Sequence, residues 1–371
     1  MTDVTQTELA AVAAPALRAE AAPRHLFGPL LDFLLLGGGS IVVCAVAALV
    51  FPKGLPSAQQ LALIAVVMLV FNQPHFAHSY QMFYENFHDK AFGASLPRHM
   101  RLRYMFAGIA VPAALLLFLT GASLSGNARL LGYGANLMFL TVGWHYVKQG
   151  YGIMVLDSVQ KRLFFSDTAK RVFRVNGYVC WSVGWLGLNH ALAKNNVYIG
   201  IPFSTFAVPM PFYYASIAFA ALTSLAALAM LFRRWRQAPG RLPWNGILAY
   251  GATLYLWVIF IDINPLVAAI IPTFHSLQYL AVVWRYQLNR RAEKPERSFS
   301  FFVLAGVLLG FLGFTALPFL LANMLPYNEK VLGPSLFLFA CYIFINVHHY
   351  FLDNVMWRRE NPDMKYVFGR K

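Results

Sequence analysis

Near its C-terminus the chain reads Asn346-Val347-His348-His349-Tyr350-Phe351-Leu352-Asp353, which contains the one His-His pair of the sequence. On a helix His349 and Asp353 stand four apart on one face. A carboxylate placed that way is a common partner for orienting a metal-bound imidazole. Three other segments combine histidine with polar neighbours at helical spacing. Asn72, His75 and His78 are three apart; His145 is followed by Lys148 and Gln149; His275 is followed by Gln278 and Tyr279. Imidazoles that outnumber the acids near them are better explained by a shared cation than by bonding to one another. His75, His145, His275 and His349 are therefore the first-choice ligands. His78 and His348 are alternates or ligands of a second ion. Asp353 is expected to orient a ligand ring, and Lys148, Gln149, Gln278 and Tyr279 to line a pocket for oxygen or substrate.

The elements that must position these side chains are apolar helices. The chain is 58% hydrophobic and 12% charged, about half the charge of a soluble domain. Its repeated long apolar runs predict an all-α polytopic membrane bundle. Ten spans can be drawn, over residues 27–51, 60–84, 105–123, 130–156, 175–192, 212–232, 246–261, 265–284, 301–324 and 334–357. A tail (1–26), one membrane domain (27–357) and a basic tail (358–371) follow from this. The first 24 residues contain Asp3, Glu8 and Glu20 and lack the pattern of a secretion signal. Cys44, Cys180 and Cys341 lie inside apolar runs and read as packing residues.

The net charge of +15 invites a nucleic-acid reading, but the basic residues sit in short loops between spans, where topology accounts for them. With the N-terminus inside, about 25 Lys and Arg fall on the cytoplasmic side and about four outside (Lys53, Arg129, Lys194, Lys330). Both termini are then cytoplasmic, and no nucleic-acid partner is expected. The even-numbered spans run inward, so depth is counted from their cytoplasmic ends. At 1.5 Å per residue, His75, His275 and the His348-His349 pair lie roughly 15 Å in, and His145 roughly 18 Å. Lys148 falls within the fourth span and is costly there, as are the polar faces around each histidine, so these faces must point into the bundle or a cavity.

Each residue also has a plainer reading. A single intramembrane histidine is usually a helix–helix hydrogen bond, and the matched depth of several is what favours a metal. His190 lies in the outer half of its span and reads as packing. His88 and His99 belong to a solvated loop, and His25 is interfacial. Lys148 either pairs with a carboxylate such as Asp353 or meets a substrate oxygen. Asp32 is within reach of the same slab, and Asp262 reads as a turn residue. Trp144, Trp284 and Trp357 read as belt or packing aromatics.

Nitrogen-rich sites with few carboxylates suit iron, copper or zinc. The H-E-x-x-H helix of zinc hydrolases is absent, and Met residues are scattered, which leaves non-haem iron or haem with axial histidines. Three segments, Pro74-His75-Phe76, Trp144-His145-Tyr146 and His275-Ser276-Leu277-Gln278-Tyr279, resemble motifs of the bacterial Brp/Blh family of membrane carotene dioxygenases. That family carries a Pro-His segment, a Trp-His segment with a following acid, and a His-Ser-x-Arg-His segment, whose histidines hold one non-haem iron. Order and intervals are similar. Tyr279 stands where the family has its last His, Gln278 where it has Arg, and the first segment lacks the family's Gly. The resemblance implies iron held by His75, His145 and His275, with His348 or His349 replacing the lost ligand.

The expectation is a multi-pass protein of a bacterial-type inner membrane, with one or two non-haem iron ions. It would use O2 on an apolar lipid or isoprenoid/carotenoid-like substrate, and would need an electron donor. Two readings stand beside it. A haem-binding electron carrier would use histidine pairs as axial ligands. A metal or proton transporter would need broken helices, inverted repeats and polar residues in the outer half; His190 and Asp262 are the outer-half polar residues, and no broken helix is evident.

Overall fold

The computed structural model describes residues 25–50, 57–191, 196–259, 265–293, 295 and 298–368. Within these the chain is an all-α bundle with one two-residue antiparallel β pairing, Val197–Tyr198 with Ile201–Pro202. The long helices are α1 (Pro29–Leu49), α2 (Ala58–Tyr84), α3 (Arg98–Leu124), α4 (Ala128–Gln160), α5 (Asp167–Ala191), α6 (Met210–Gln237), α7 (244–259), α8 (Pro265–Arg291), α9 (Phe299–Met324) and α10 (Leu336–Met356). They fall on the ten segments drawn above. Seven of them, α1, α2, α3, α6, α8, α9 and α10, are long and apolar enough to cross a membrane. The others differ for visible reasons. α4 carries Arg129, Asn136, His145 and Lys148; α5 opens with Asp167, Lys170, Arg171 and Arg174; and the described part of α7 is short.

Helix starts follow local chemistry. Ser57 and Gln60 form a reciprocal capping box at α2, and Asn127 and Ser298 cap α4 and α9. Asp157 of α4 accepts from the Gly246 amide at 2.9 Å, so one helix satisfies a free donor at the start of another. Three π-helical turns, Met68–Asn72, Phe106–Ala110 and Leu312–Ala316, come just before Pro74, Pro112 and Pro318. Each proline lacks an amide hydrogen and displaces the carbonyl four residues back, which lies inside the π turn. The orphan Gly108 carbonyl, four before Pro112, is taken by Tyr84 Oη at 2.8 Å.

α8 and α10 form the centre: 61% of the apolar window of each is buried, against 11% for α6. α10 packs on α2, α3, α4 and α9, while α8 packs on α1 and α2. Arg290 of α8 is bound by Glu85 of α2 through two hydrogen bonds of 2.5 and 3.0 Å. The segment read as a basic tail is folded over its described residues, 358–368. Its helix Lys365–Phe368 lies on α8, with Tyr366 and Val367 buried, because two apolar side chains follow the charged residues there.

One element departs from the sequence reading. α1 is broken, with non-helical torsions at Gly37, whereas an unbroken span was expected. A side chain there has no room: a Cβ on Gly37 would sit 2.7 Å from the Ala249 Cα of α7. The Leu36 carbonyl beside the break accepts from the Gln278 side chain. Gly37→Ala should therefore separate α1 from α7 and cost about 1–3 kcal/mol, read as a lowered thermal midpoint of the detergent-purified protein.

Candidate metal centre

The π turn and Pro74 orient the inner half of α2, where His75 Nδ1–H donates to the Asn72 carbonyl at 2.7 Å. That bond leaves the lone pair on Nε2, the tautomer a metal ligand needs. Ser276, next to His275 on α8, donates to Asn72 Oδ1 at 2.7 Å and lies 3.0 Å from His75 Nδ1. Ring and backbone are thus fixed together.

His75 Nε2 faces His349 Nε2 of α10 at 3.2 Å. The ring of His75 is 4.7 Å from that of His349 and 5.3 Å from that of His275, and His145 of α4 is 4.9 Å from each of the latter two. Four imidazoles from four helices thus close a ring. Asp353 Oδ2 lies 3.5 Å from His349 Nε2 and 3.7 Å from His145 Nε2. Two ligand triads result, His75/His275/His349 and His145/His349/Asp353, each with its donor atoms within 4.8 Å of one another. All five residues are buried.

Several polar atoms of these five residues lack hydrogen-bond partners among the described residues: both nitrogens of His275, Nε2 of His145, Oδ2 of Asp353 and, on the far side of its ring from His75, Nδ1 of His349. Around them the packing is tight. Tyr146 stacks on His275 at 4.1 Å and Tyr350 on His145 at 4.7 Å. Tyr279 meets His75 and His349 edge-on. Asp353 Oδ1 accepts from Ser79 at 3.0 Å and from Tyr279 at 3.1 Å, and those two hydroxyls are themselves 2.6 Å apart.

The other candidates take different places. Asp353 does not stand behind a ligand ring: it faces the same nitrogen of His349 that faces His75, so it belongs among the donor atoms. His78 is turned toward α9. Its Nδ1 contacts Gln81 at 2.7 Å, its ring stacks on Phe302 at 4.2 Å, and Gly306 leaves room for it. His348 is turned toward α3. Its Nε2–H donates to the Ala107 carbonyl at 3.0 Å, and its Nδ1 accepts from Tyr80 at 2.9 Å. Gln149 bridges the His275 carbonyl and Gln278, which holds Leu36, so both amides brace α4, α8 and the α1 break. Lys148 donates to Asn354 rather than to Asp353, and its ammonium lies 4.4 Å over Trp144.

Asp32 does not reach the centre; it caps the Leu26 and Phe27 amides at 2.9 Å and lies near His25. His190 sits beside Tyr213, His88 and His99 are exposed, and Asp262 lies outside the described residues. Ser79 and Ser276 were missed. A signal for Ser79 existed, since it stands four residues after His75 on the same face.

Comparison of the chain with family models, with curated proteins and with solved structures gives no match. The resemblance of three short segments therefore stands on its own residues.

His348→Leu, which strands the Ala107 carbonyl and the Tyr80 hydroxyl, should destabilise the fold by about 1–3 kcal/mol, measured by thermal or denaturant unfolding in detergent.

Proposed function

We propose that the chain is a membrane metal oxidoreductase whose ion is held by His75, His145, His275, His349 and Asp353. One observation carries this reading: in a dry interior, His75 Nε2 and His349 Nε2 face each other at 3.2 Å beside Asp353 Oδ2, which has no hydrogen-bond partner, and the likewise unpartnered His145 Nε2 and His275 complete two triads whose donor atoms lie within 4.8 Å of one another. Buried polar atoms without partners are costly. One water could donate to two lone pairs at most, whereas a cation satisfies the whole set. His145, His349 and Asp353 make up the two-histidine, one-carboxylate combination associated with non-haem Fe(II) oxygenases. Iron is therefore the metal proposed, in keeping with the resemblance to the Brp/Blh dioxygenases.

Iron at this position would supply oxygen activation. The chain would hold the ligand rings through Asn72 and Ser276, exclude water with Tyr146, Tyr279 and Tyr350, and keep a proton at the Ser79–Tyr279–Asp353 cluster. A cleft of about 570 Å³ lined by Gln81, Glu85, Gln287, Arg291, Phe299 and Phe302 reaches the residues that hold His78. None of the five metal-facing residues lines it, so an apolar lipid or isoprenoid-like substrate rests on the resemblance to the Brp/Blh dioxygenases. A haem between two of these rings is the poorer fit, because ring centroids 4.7–5.3 Å apart and stacked tyrosines leave no disc-shaped gap. The broken α1 is the feature that favours a transporter, but the break is closed by Ala249 and Gln278 and offers no backbone to a solute.

The loop charges support ten spans with both termini cytoplasmic, in a bacterial-type inner membrane. A fluorescent-protein fusion at the C-terminus should then fluoresce, and a phosphatase inserted after Ser125 should be active on the opposite side. The reverse pattern would overturn this topology.

Purified wild type, loaded with ferrous iron under nitrogen and desalted, should retain roughly one ion per chain by elemental analysis. His75→Ala, His145→Ala, His275→Ala and His349→Ala should each lose most of it, while His78→Ala and His348→Leu retain it. Undiminished iron in the first four would refute the assignment. Admitting oxygen to the loaded wild type should produce ferric iron together with oxygen uptake.

A further inference from the structure

Outward from Tyr279, which packs on the metal site, the bundle contains a line of oxidisable rings. Starting at His349, the ring of Tyr279 is 5.7 Å away, that of Trp357 a further 5.9 Å, that of Tyr286 a further 6.2 Å and that of Tyr366 a further 5.5 Å. Tyrosine and tryptophan are the ordinary aromatic side chains that give up an electron most readily. Electron tunnelling falls off exponentially with distance, so four contacts between neighbouring rings are much faster than one long jump across the same span. The line runs from the donor atoms to the short helix Lys365–Phe368.

We propose that this line is a charge-transfer path that carries oxidising equivalents from the metal centre to Tyr366, whose buried ring lies beneath the exposed Lys365, and admits electrons there from a one-electron reductant in solution. The proposal rests on the metal-centre reading.

Each ring in the line has somewhere to put its proton. Tyr279 hydrogen-bonds Asp353 at 3.1 Å and Ser79 at 2.6 Å. Tyr286 and Trp357 border a cavity of about 10 Å³, which also touches Lys90 and Asp363 and has room for about one water. Tyr366 Oη donates to Glu293 Oε2 at 2.9 Å. Lys365 and Arg290 lie over its ring at 4.6 and 6.0 Å, each of them also paired with a carboxylate, Glu293 and Glu85.

When the centre is oxidised beyond its resting state, one electron leaves Tyr279 and its phenolic O–H bond breaks, the proton passing to Asp353 directly or through Ser79. Trp357 then returns an electron to Tyr279, which takes its proton back. Tyr286 refills Trp357, its phenolic proton passing through the adjoining cavity to Asp363, and Tyr366 then refills Tyr286, which takes that proton back, while the proton of Tyr366 rests on Glu293. An external reductant such as ascorbate refills Tyr366. The sum is one electron moved from ascorbate to the centre, with every bond of the chain restored.

Hydrogen peroxide as oxidant and ascorbate as reductant test the path in the iron-loaded, detergent-purified full chain. Peroxide takes two electrons and two protons to become two waters, and ascorbate supplies the electrons. Wild type should oxidise ascorbate, show a tyrosyl radical after freeze-quenching, and carry oxidative modification at Tyr366 when ascorbate is omitted. Trp357→Phe keeps an aromatic ring but removes an oxidisable one. It should retain iron, oxidise ascorbate about tenfold more slowly, and shift modification to Tyr279 and the ligand histidines. Trp357→Tyr should restore both the rate and the pattern, which a merely structural role for the indole does not predict. Tyr366→Phe, at the outer end of the line, should reproduce the Trp357→Phe loss in rate and serves if Trp357→Phe fails to fold. Iron-loaded Trp357→Phe or Tyr366→Phe with wild-type rate and modification pattern would overturn the path and leave the metal centre standing. A wild type that takes up no iron would overturn both.

Discussion

The structure depends on removing four imidazoles and a carboxylate from water together. Each alone would be a costly polar group in an apolar bundle. Together they form two triads that share His349, each with its donor atoms within 4.8 Å of one another and each able to hold a metal ion. The rest of the architecture keeps them in that relation. α8 and α10 are buried at the centre because between them they carry His275, His349 and Asp353, and α2 and α4 are pressed against them by His75 and His145. Hydrogen bonds to carbonyls and hydroxyls outside the group, such as Asn72, Ser276, Ser79 and Tyr279, decide which atoms point inward.

Backbone irregularity serves the same end. At the proline-associated π turn of α3 the freed Gly108 carbonyl is occupied by the Tyr84 side chain of α2. The break at Gly37 is handled similarly, with Gln278 meeting the Leu36 carbonyl and Gln149 meeting Gln278. Polar side chains that look expensive in a hydropathy profile are therefore satisfying defects of the helices next to them. This is why α4, rich in such residues, falls short of the apolarity of a simple lipid-facing span.

Much of this was legible in the amino-acid chain, and the failures have physical causes. Helical spacing put His349 with Asp353 and His275 with Tyr279, and counting from loop boundaries put the histidines of four helices at one depth. The same rules could have narrowed the set. Adjacent residues point about 100° apart on a helix, so His348 and His349 could not both aim at one point, and His348 instead joins α10 to α3. What no spacing reveals is which nitrogen of a ring faces inward, and that is what moved Asp353 from a supporting position to the donor set. The exchange of stacking partners, with Tyr146 on His275 and Tyr350 on His145, depends on packing between helices and has no local signal. The glycines of α1 showed that something would approach closely, but not that the helix would break.

The two halves of α2 meet different demands. Its first ten residues, Ala58–Val67, bury no side chain in the bundle, whereas the stretch from Gln73 to Tyr84 buries most of its own. Lineages of this protein can therefore exchange one aliphatic residue for another freely before the π turn, with hydropathy the main property under selection. Beyond it, almost every position answers to a neighbour across the bundle, and drift should nearly stop.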